Sequence, residues 1–231
     1  MSITVLGSCR VNRIPDRNNL NVDINYAHST KEALQLVKFV MGKLDIPSPY
    51  SRYCFRTGII ERRDIHISPS MKTMLEASDI VVMEVCSRKK YMYGDFYLHH
   101  LSVDKRHPGD WHAATPQWIL DGYTTVVQTD DEIAADILEM QTLLTGKTLV
   151  IVSHYNAKHN GEYLESRQSL IKLLGKICEA YDIVFVNPTD VLAGCTQEQV
   201  MTADLGHYTD YGLQLMAAYM KQLIENLKAD I

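Results

Sequence analysis

The chain lacks the features that would announce a membrane protein, a disulfide scaffold or a nucleic-acid binder. Its 231 residues contain no apolar run near the ~20 residues of a membrane-spanning helix, so no membrane partner is expected. Five cysteines, Cys9, Cys54, Cys86, Cys178 and Cys195, form no C-x-x-C pair and no zinc spacing, and an odd number argues against a disulfide framework. The nine histidines include no H-x-x-x-H or H-E-x-x-H pair, so His99-His100, His107, His112, His154 and His159 predict no metal site. Positive charge is in deficit, 23 Lys and Arg against 28 Asp and Glu for a net −5, which leaves no nucleic-acid footprint. The start, Met1-Ser2-Ile3-Thr4, has neither a basic leader nor an apolar signal segment. A cytoplasmic protein with reduced thiols is expected, with Cys178 a small core residue.

No repeat, low-complexity tract or linker interrupts the chain, and 46% apolar with 22% charged residues suits a sizeable core. One domain over 1–231 is therefore expected. Short apolar runs bounded by turns predict strands at Ile3–Leu6, Asp79–Val85, Thr148–Val152 and Asp182–Val186, with a further one near Ile65-His66-Ile67. The four main runs lack in–out alternation, the mark of parallel strands covered on both faces. Helical periodicity fills the gaps: from a cap at Ser29 or Thr30 to Gly42, from Pro69-Ser70 to Glu76, from a cap at Asp130 or Asp131 to Leu144, from Glu162 to Tyr181, and from Thr209 to Lys228. This alternation predicts a three-layer α/β/α fold with a mostly parallel sheet. Residues 89–125 fit it poorly. They are rich in Tyr, His and Trp and read as an irregular insertion, a lid or a binding loop.

Ligands of an open parallel sheet bind beyond the carboxyl ends of its strands. Those ends here carry Gly7-Ser8-Cys9-Arg10, Cys86-Ser87-Arg88-Lys89, Ser153-His154-Tyr155-Asn156 and Asn187-Pro188-Thr189-Asp190. Structural loops would need only turn formers there. Cys9 would sit where a helix N-terminus and an imidazole favour a thiolate, which makes it the first candidate nucleophile. Ser8 is the competitor. Near the other end comes Asp204-Leu205-Gly206-His207, offering a base and a carboxylate to orient it. The alternative for Asp204 is a plain helix cap. Arg10, Arg56 and Arg88 could hold an anionic group, although each could equally be an exposed or ion-paired side chain. The run Arg88-Lys89-Lys90 otherwise reads as a solvated loop.

A strand ending in Gly7-Ser8-Cys9-Arg10, with Asp204-x-x-His207 just before a last helix, resembles the SGNH (GDSL-type) hydrolases, and nearest the branches with a G-S-C turn, GSCFA-like and capsule-biosynthesis acyltransferase-like. The resemblance covers both ends of the chain. It implies a flavodoxin-like topology and a Cys9–His207–Asp204 triad performing acyl transfer or hydrolysis of an ester or thioester through a covalent acyl-enzyme. The acceptor could be a sugar or another small molecule. It also implies an oxyanion hole, for which Gly58 is the second-block candidate. The third-block asparagine is missing after Val85, where Ser87 stands, and Asn156 is the candidate from the next strand. His154 would join the substrate-binding set. No cofactor is required, though coenzyme A would suit as acyl carrier. The expected partners are a small ester, thioester or glycan, and a second copy in a homo-oligomer. The competing readings are a non-catalytic ligand-binding module, and a partner-docking module using Tyr91, Tyr93, Phe96, Tyr97, Trp111 and Trp118.

Overall fold

The computed structural model describes residues 2–11, 17–18, 26–105 and 111–229, so His107 lies outside the described residues. In chain order the strands are β1 (Ser2–Leu6), β2 (Arg17–Asn18), β3 (Ser78–Val85), β4 (Lys89–Tyr93), β5 (Phe96–Leu98), β6 (Thr124–Val127), β7 (Thr148–Ser153), β8 (Lys158–His159), β9 (Glu162–Tyr163) and β10 (Val184–Val186). The helices are α1 (Thr30–Val40), α2 (Tyr50–Cys54), α3 (Arg56–Glu61), α4 (Pro69–Glu76), α5 (Gln117–Gly122), α6 (Asp130–Leu143), α7 (Glu165–Ala180), α8 (Pro188–Val191), α9 (Gln197–Val200) and α10 (Asp210–Ala229). The chain divides into two compact units, one of residues 1–18, 78–87 and 146–231, the other of residues 19–77 and 88–145.

The first unit is built on a five-stranded sheet of order β10-β7-β3-β1-β2, with every pair parallel. Successive residues of a strand face opposite sides. Ile3, Val5, Ile80, Val82, Val150 and Val152 pack with Met216, Met220 and Ile224 of α10 on one side. Phe185 points the other way and lies against Gly175 of α7, 3.5 Å from where a Cβ would stand. Helices thus cover both faces, the α/β/α sandwich expected. This double cover explains the continuous apolar runs: β3 and β7 are buried at all but one position each.

The boundaries follow local chemistry. Thr129 caps α6 through a reciprocal box with Glu132, in place of the expected Asp130 or Asp131. The helix expected from Glu162 begins at Glu165. Glu162 instead pairs with His159 across a hairpin whose Asn160 and Gly161 both have positive φ, 51° and 85°. The strand expected from Asp182 begins at Val184, because Asp182 is left-handed at φ 53° and the Ile183 N–H still closes α7 by donating to Cys178 O (2.9 Å). No strand forms at Ile65-His66-Ile67. That segment is coil, held where Ile65 N–H donates to Ser51 Oγ (3.1 Å).

In the second unit, α1 and α6 are clamped through a buried carboxylate. Asp136 accepts from Thr30 Oγ1 (2.7 Å), Lys31 Nζ (2.6 Å) and Gln128 Nε2 (2.9 Å). The stretch expected to be irregular carries the antiparallel sheet β5-β4-β6 and helix α5. Its aromatics largely pack on one another, with Trp118 edge-on to Tyr50 and Tyr93 at 5.8 and 5.4 Å. Among the described residues no helix is long and apolar enough to cross a membrane.

Candidate active site

The sheet order reverses direction between β1 and β3, the switch point where such sheets open a crevice. Cys9 follows β1 and Cys86-Ser87 follows β3, so the two segments flank it. The turn after β1 requires glycine at its first position. A Cβ on Gly7 would stand 2.5 Å from Val11 and 2.7 Å from Glu84. Ser8 is buried, and its N–H donates to Glu84 Oε2 (2.7 Å). Cys9 turns outward and is exposed.

Beneath the turn lies an ion pair that sequence reasoning missed. Arg10 Nε donates to Glu84 Oε1 at 2.6 Å, with side chains only 8% and 1% exposed. Burial alone would raise the Glu84 carboxyl, but the Arg10 charge and the hydrogen bonds from Ser8 and Arg10 overrule it and hold the carboxyl below its ordinary value. Burial likewise opposes the Arg10 charge, and Glu84 more than restores it. A lone Glu inside Val82-Met83-Glu84-Val85 was the available signal, since an unpaired charge does not sit in a buried strand.

Arg10 also reaches across to the last loop, where Nη1 donates to Gly206 O (2.5 Å). Arg167, from the first turn of α7, donates to Leu205 O (2.8 Å) and Tyr155 O (3.2 Å). Two guanidiniums therefore hold consecutive carbonyls of the Asp204–His207 loop. The loop closes on itself as well: Thr202 N–H donates to His207 O (2.9 Å), Met201 bridges Tyr208, and Leu205 is left-handed at φ 56°. Inside it, Asp204 Oδ1 accepts from Thr202 Oγ1 (2.6 Å), Gly206 N–H (2.8 Å) and His207 N–H (3.1 Å). Asp204 Oδ2 stands 2.7 Å from His207 Nδ1. The Thr202 hydroxyl first, then the Gly206 N–H and the His207 ring, hold the Asp204 carboxyl well below the usual carboxylate range. Both side chains remain open to solvent, 56% and 60% exposed. Asp204 does not cap the last helix. Thr209 does, accepting from Gly212 N–H (3.1 Å).

His154 and Asn156 come from the end of β7, in the same unit. His154 is buried with Nδ1 on Tyr155 O (3.1 Å), which leaves Nε2 as acceptor. Burial, then the charges of Arg10 and Arg167, push its pKa well below the ordinary value, so the ring is neutral. Asn156 N–H donates to Thr189 Oγ1 (2.8 Å), while Asn156 Oδ1 is buried without a hydrogen-bond partner among the described residues. Tyr208 is buried beside Arg10, Glu84 and Arg167, and burial pushes its hydroxyl pKa up.

The structure thus groups Ser8, Cys9, Arg10, Ser87, His154, Asn156, Asp204 and His207 in one unit, while Arg56, Gly58 and Arg88 belong to the other. No hydrogen bond joins Cys9 Sγ to His207 among the described residues. Arg10 is engaged on the protein rather than offered to an anion. Arg88 likewise pairs with Asp130 (2.5 Å). Arg56 lies over the Tyr26 ring at 4.3 Å. Gly58 has a packing reason of its own, since a Cβ there would meet Arg52 O at 2.4 Å.

The parallel α/β sheet, with a Gly-Ser-Cys turn after its first strand and an Asp–His pair in the loop before its last helix, is the layout that the SGNH resemblance implies. Residues 1–118 and 103–222 match the TviD N-terminal domain. The chain therefore belongs to the TviD N-terminal domain family. The Vi polysaccharide biosynthesis protein TviD of Salmonella typhi is 26% identical over 272 aligned positions, taking in 97% of this chain and 32% of that protein. The chain thus spans about a third of the length of the curated relative it matches. A catalytic mutant of Axe2, an acetylxylan esterase from Geobacillus stearothermophilus, has 11% identity and a TM-score of 0.42 over 96% of this chain and 92% of its own. A second Axe2 mutant gives 0.41 with the same identity and coverage.

Proposed function

We propose that the chain transfers an acyl group through a thioester on Cys9, either to a hydroxyl of a glycan or to water. One observation carries the proposal. His207 Nδ1 is held at 2.7 Å by Asp204, on a loop tied by Gly206 O to Arg10, the residue next to Cys9. A hydrogen bond at Nδ1 sets the tautomer and leaves Nε2 as the base. In this reaction Nε2 takes the Cys9 thiol proton, and the thiolate attacks the acyl carbonyl. The tetrahedral intermediate collapses to the thioester as the leaving group receives the proton from His207. A sugar hydroxyl or water then gives its proton to Nε2 and attacks the thioester, releasing the thiolate. The Cys9 N–H and the Asn156 side-chain amide are the oxyanion donors of this reading. The direct Cys9–His207 contact forms with substrate bound, as catalytic hydrogen bonds commonly tighten only then. A glycan acceptor is supported by the polysaccharide-biosynthesis role in the relative's name.

The test is intact-mass spectrometry after incubation with activated acetate esters and acetyl-coenzyme A. A single acetyl mass gain, lost in Cys9→Ala and retained in Ser8→Ala, is expected. A gain that persists in Cys9→Ala and disappears in Ser8→Ala would transfer the role to the serine. Transfer to an added oligosaccharide, against release to water, then separates transferase from hydrolase.

A further inference from the structure

We infer that the second unit holds a divalent first-row transition ion of the zinc class between His28, His99 and His100. No sequence spacing reveals this set, because His28 lies 71 positions before His99 in the chain. The fold brings one ring nitrogen from each within 4.8 Å of the others. The ring centroids are 4.2 Å apart for His28–His100, 4.5 Å for His99–His100 and 5.3 Å for His28–His99. Three imidazoles on one tetrahedral ion, with bonds of about 2.0–2.1 Å, have centroids roughly 5 Å apart. The centroid spacing is therefore near that of three rings sharing one ion. An acid completes the chemistry. Glu32 is buried, accepts from the His28 N–H (3.0 Å), and lies 3.6 Å from His28 Nδ1. A buried carboxylate beside one of three clustered imidazoles favours a cation among them.

The three residues are held in place by neighbouring backbone and side-chain contacts. His28 directly precedes Ser29, the cap of α1, whose hydroxyl accepts from Glu32 N–H (3.3 Å). Gln35 of α1 exchanges two hydrogen bonds with the Tyr97 backbone, both 2.8 Å, two residues before His99. The His99 N–H and the Ser102 hydroxyl both donate to Tyr53 O, each at 2.9 Å. This pre-organisation costs the site little ordering on binding. His99 Nδ1 accepts a long contact from Leu101 N–H (3.3 Å). Ligation through Nδ1 displaces that contact and uses the lone pair that a neutral imidazole already offers there. His28 and His100 are partly exposed, which gives an ion a way in, and three protein ligands leave a fourth position for Glu32 or water. The ion would tie the start of α1 to the turn after β5. The inference is independent of the proposed acyl chemistry.

Titration of the metal-free full chain with Co2+ should give visible d–d bands saturating at one ion per chain, and Zn2+ should bleach them. The His28→Ala/His100→Ala double variant should lose the bands or weaken binding by about tenfold or more, the scale on which ligand-sphere changes act. His66→Ala, an exposed histidine elsewhere in the unit, should leave them unchanged. Zn2+ added to the wild-type protein should also move the ring NMR signals of three of the nine histidines, a readout that needs no variant to fold. Absence of the bands, their persistence in the double variant, or ring shifts in a different set of histidines would overturn the site.

Discussion

At the scale of the residue, Asp204 does two separable things. Oδ2 orients His207, while Oδ1 gathers three donors that shape the loop. Asp204→Asn keeps an oxygen for the loop but turns an N–H toward Nδ1, so turnover should fall while the melting temperature stays within about 1–2 °C, a surface-scale effect. Asp204→Ala should lower both. His207→Ala should slow turnover about a hundredfold or more with little change in melting, the usual scale of general acid–base catalysis. If His207→Ala turns over normally, the pair is structural only. The buried neighbour behaves differently. Glu84→Gln strands the Arg10 charge in the interior and should destabilise by about 3–5 kcal/mol, whereas replacing the pair together, Arg10→Met with Glu84→Leu, should cost far less. Because the folded-state carboxyl of Glu84 is depressed, its contribution is full above the unfolded value of about 4.3 and is lost as pH falls through the lower folded value. Urea midpoints of wild type and Glu84→Gln should therefore converge below about pH 4. Parallel profiles down to pH 2 would show that Glu84 does not carry the pair.

At the scale of the element, the last helix is set by one contact. A Cβ on Gly212 would stand 2.4 Å from Val200 O, so α10 can follow the 200–209 segment closely only with glycine there. In an exposed helix Gly→Ala gains about 1 kcal/mol. Here the sign should reverse, with Gly212→Ala destabilising by about 1–3 kcal/mol as an overpacked position. A thermal melt decides it, and a raised melting temperature would mean the helix shifts without penalty. The same region shows what a sequence can and cannot disclose. Strands β1, β3 and β7 were legible because burial on both faces writes continuous apolar runs. The Asp-x-x-His loop was legible because a family resemblance spans both ends of the chain. Asn160-Gly161 is a strong type I′ hairpin signal, yet helical periodicity masked it. Asp182 looked like a strand start because nothing local marks a left-handed residue that still closes a helix. The Arg10–Glu84 pair joins residues 74 positions apart and the histidine cluster 71, separations over which spacing rules are blind.

At the scale of the whole molecule, acid response is governed by groups that are buried in one protonation state. With a net charge of −5 at pH 7, lowering the pH first removes net charge, and unfavourable self-repulsion should not increase at once. Early loss of stability is then expected from buried groups with a depressed folded-state pKa, and His154 is one. Burial and the Arg10 and Arg167 charges depress its folded-state pKa well below the ordinary histidine value. In the unfolded chain it takes up a proton below about pH 6.5, whereas in the folded chain it does not. Its contribution is therefore full above pH ~6.5 and is lost as pH falls from there toward the folded value, because the unfolded state then binds the extra proton. His154→Gln keeps a donor for Tyr155 O and removes the titration. Urea midpoints at pH 7.5, 6.5 and 5.5 should fall more steeply in wild type than in His154→Gln, with the difference opening below about pH 6.5. If the two profiles run parallel across that window, the ring is hydrated or paired in a way that lets it accept a proton, and the acid sensitivity of the fold lies elsewhere.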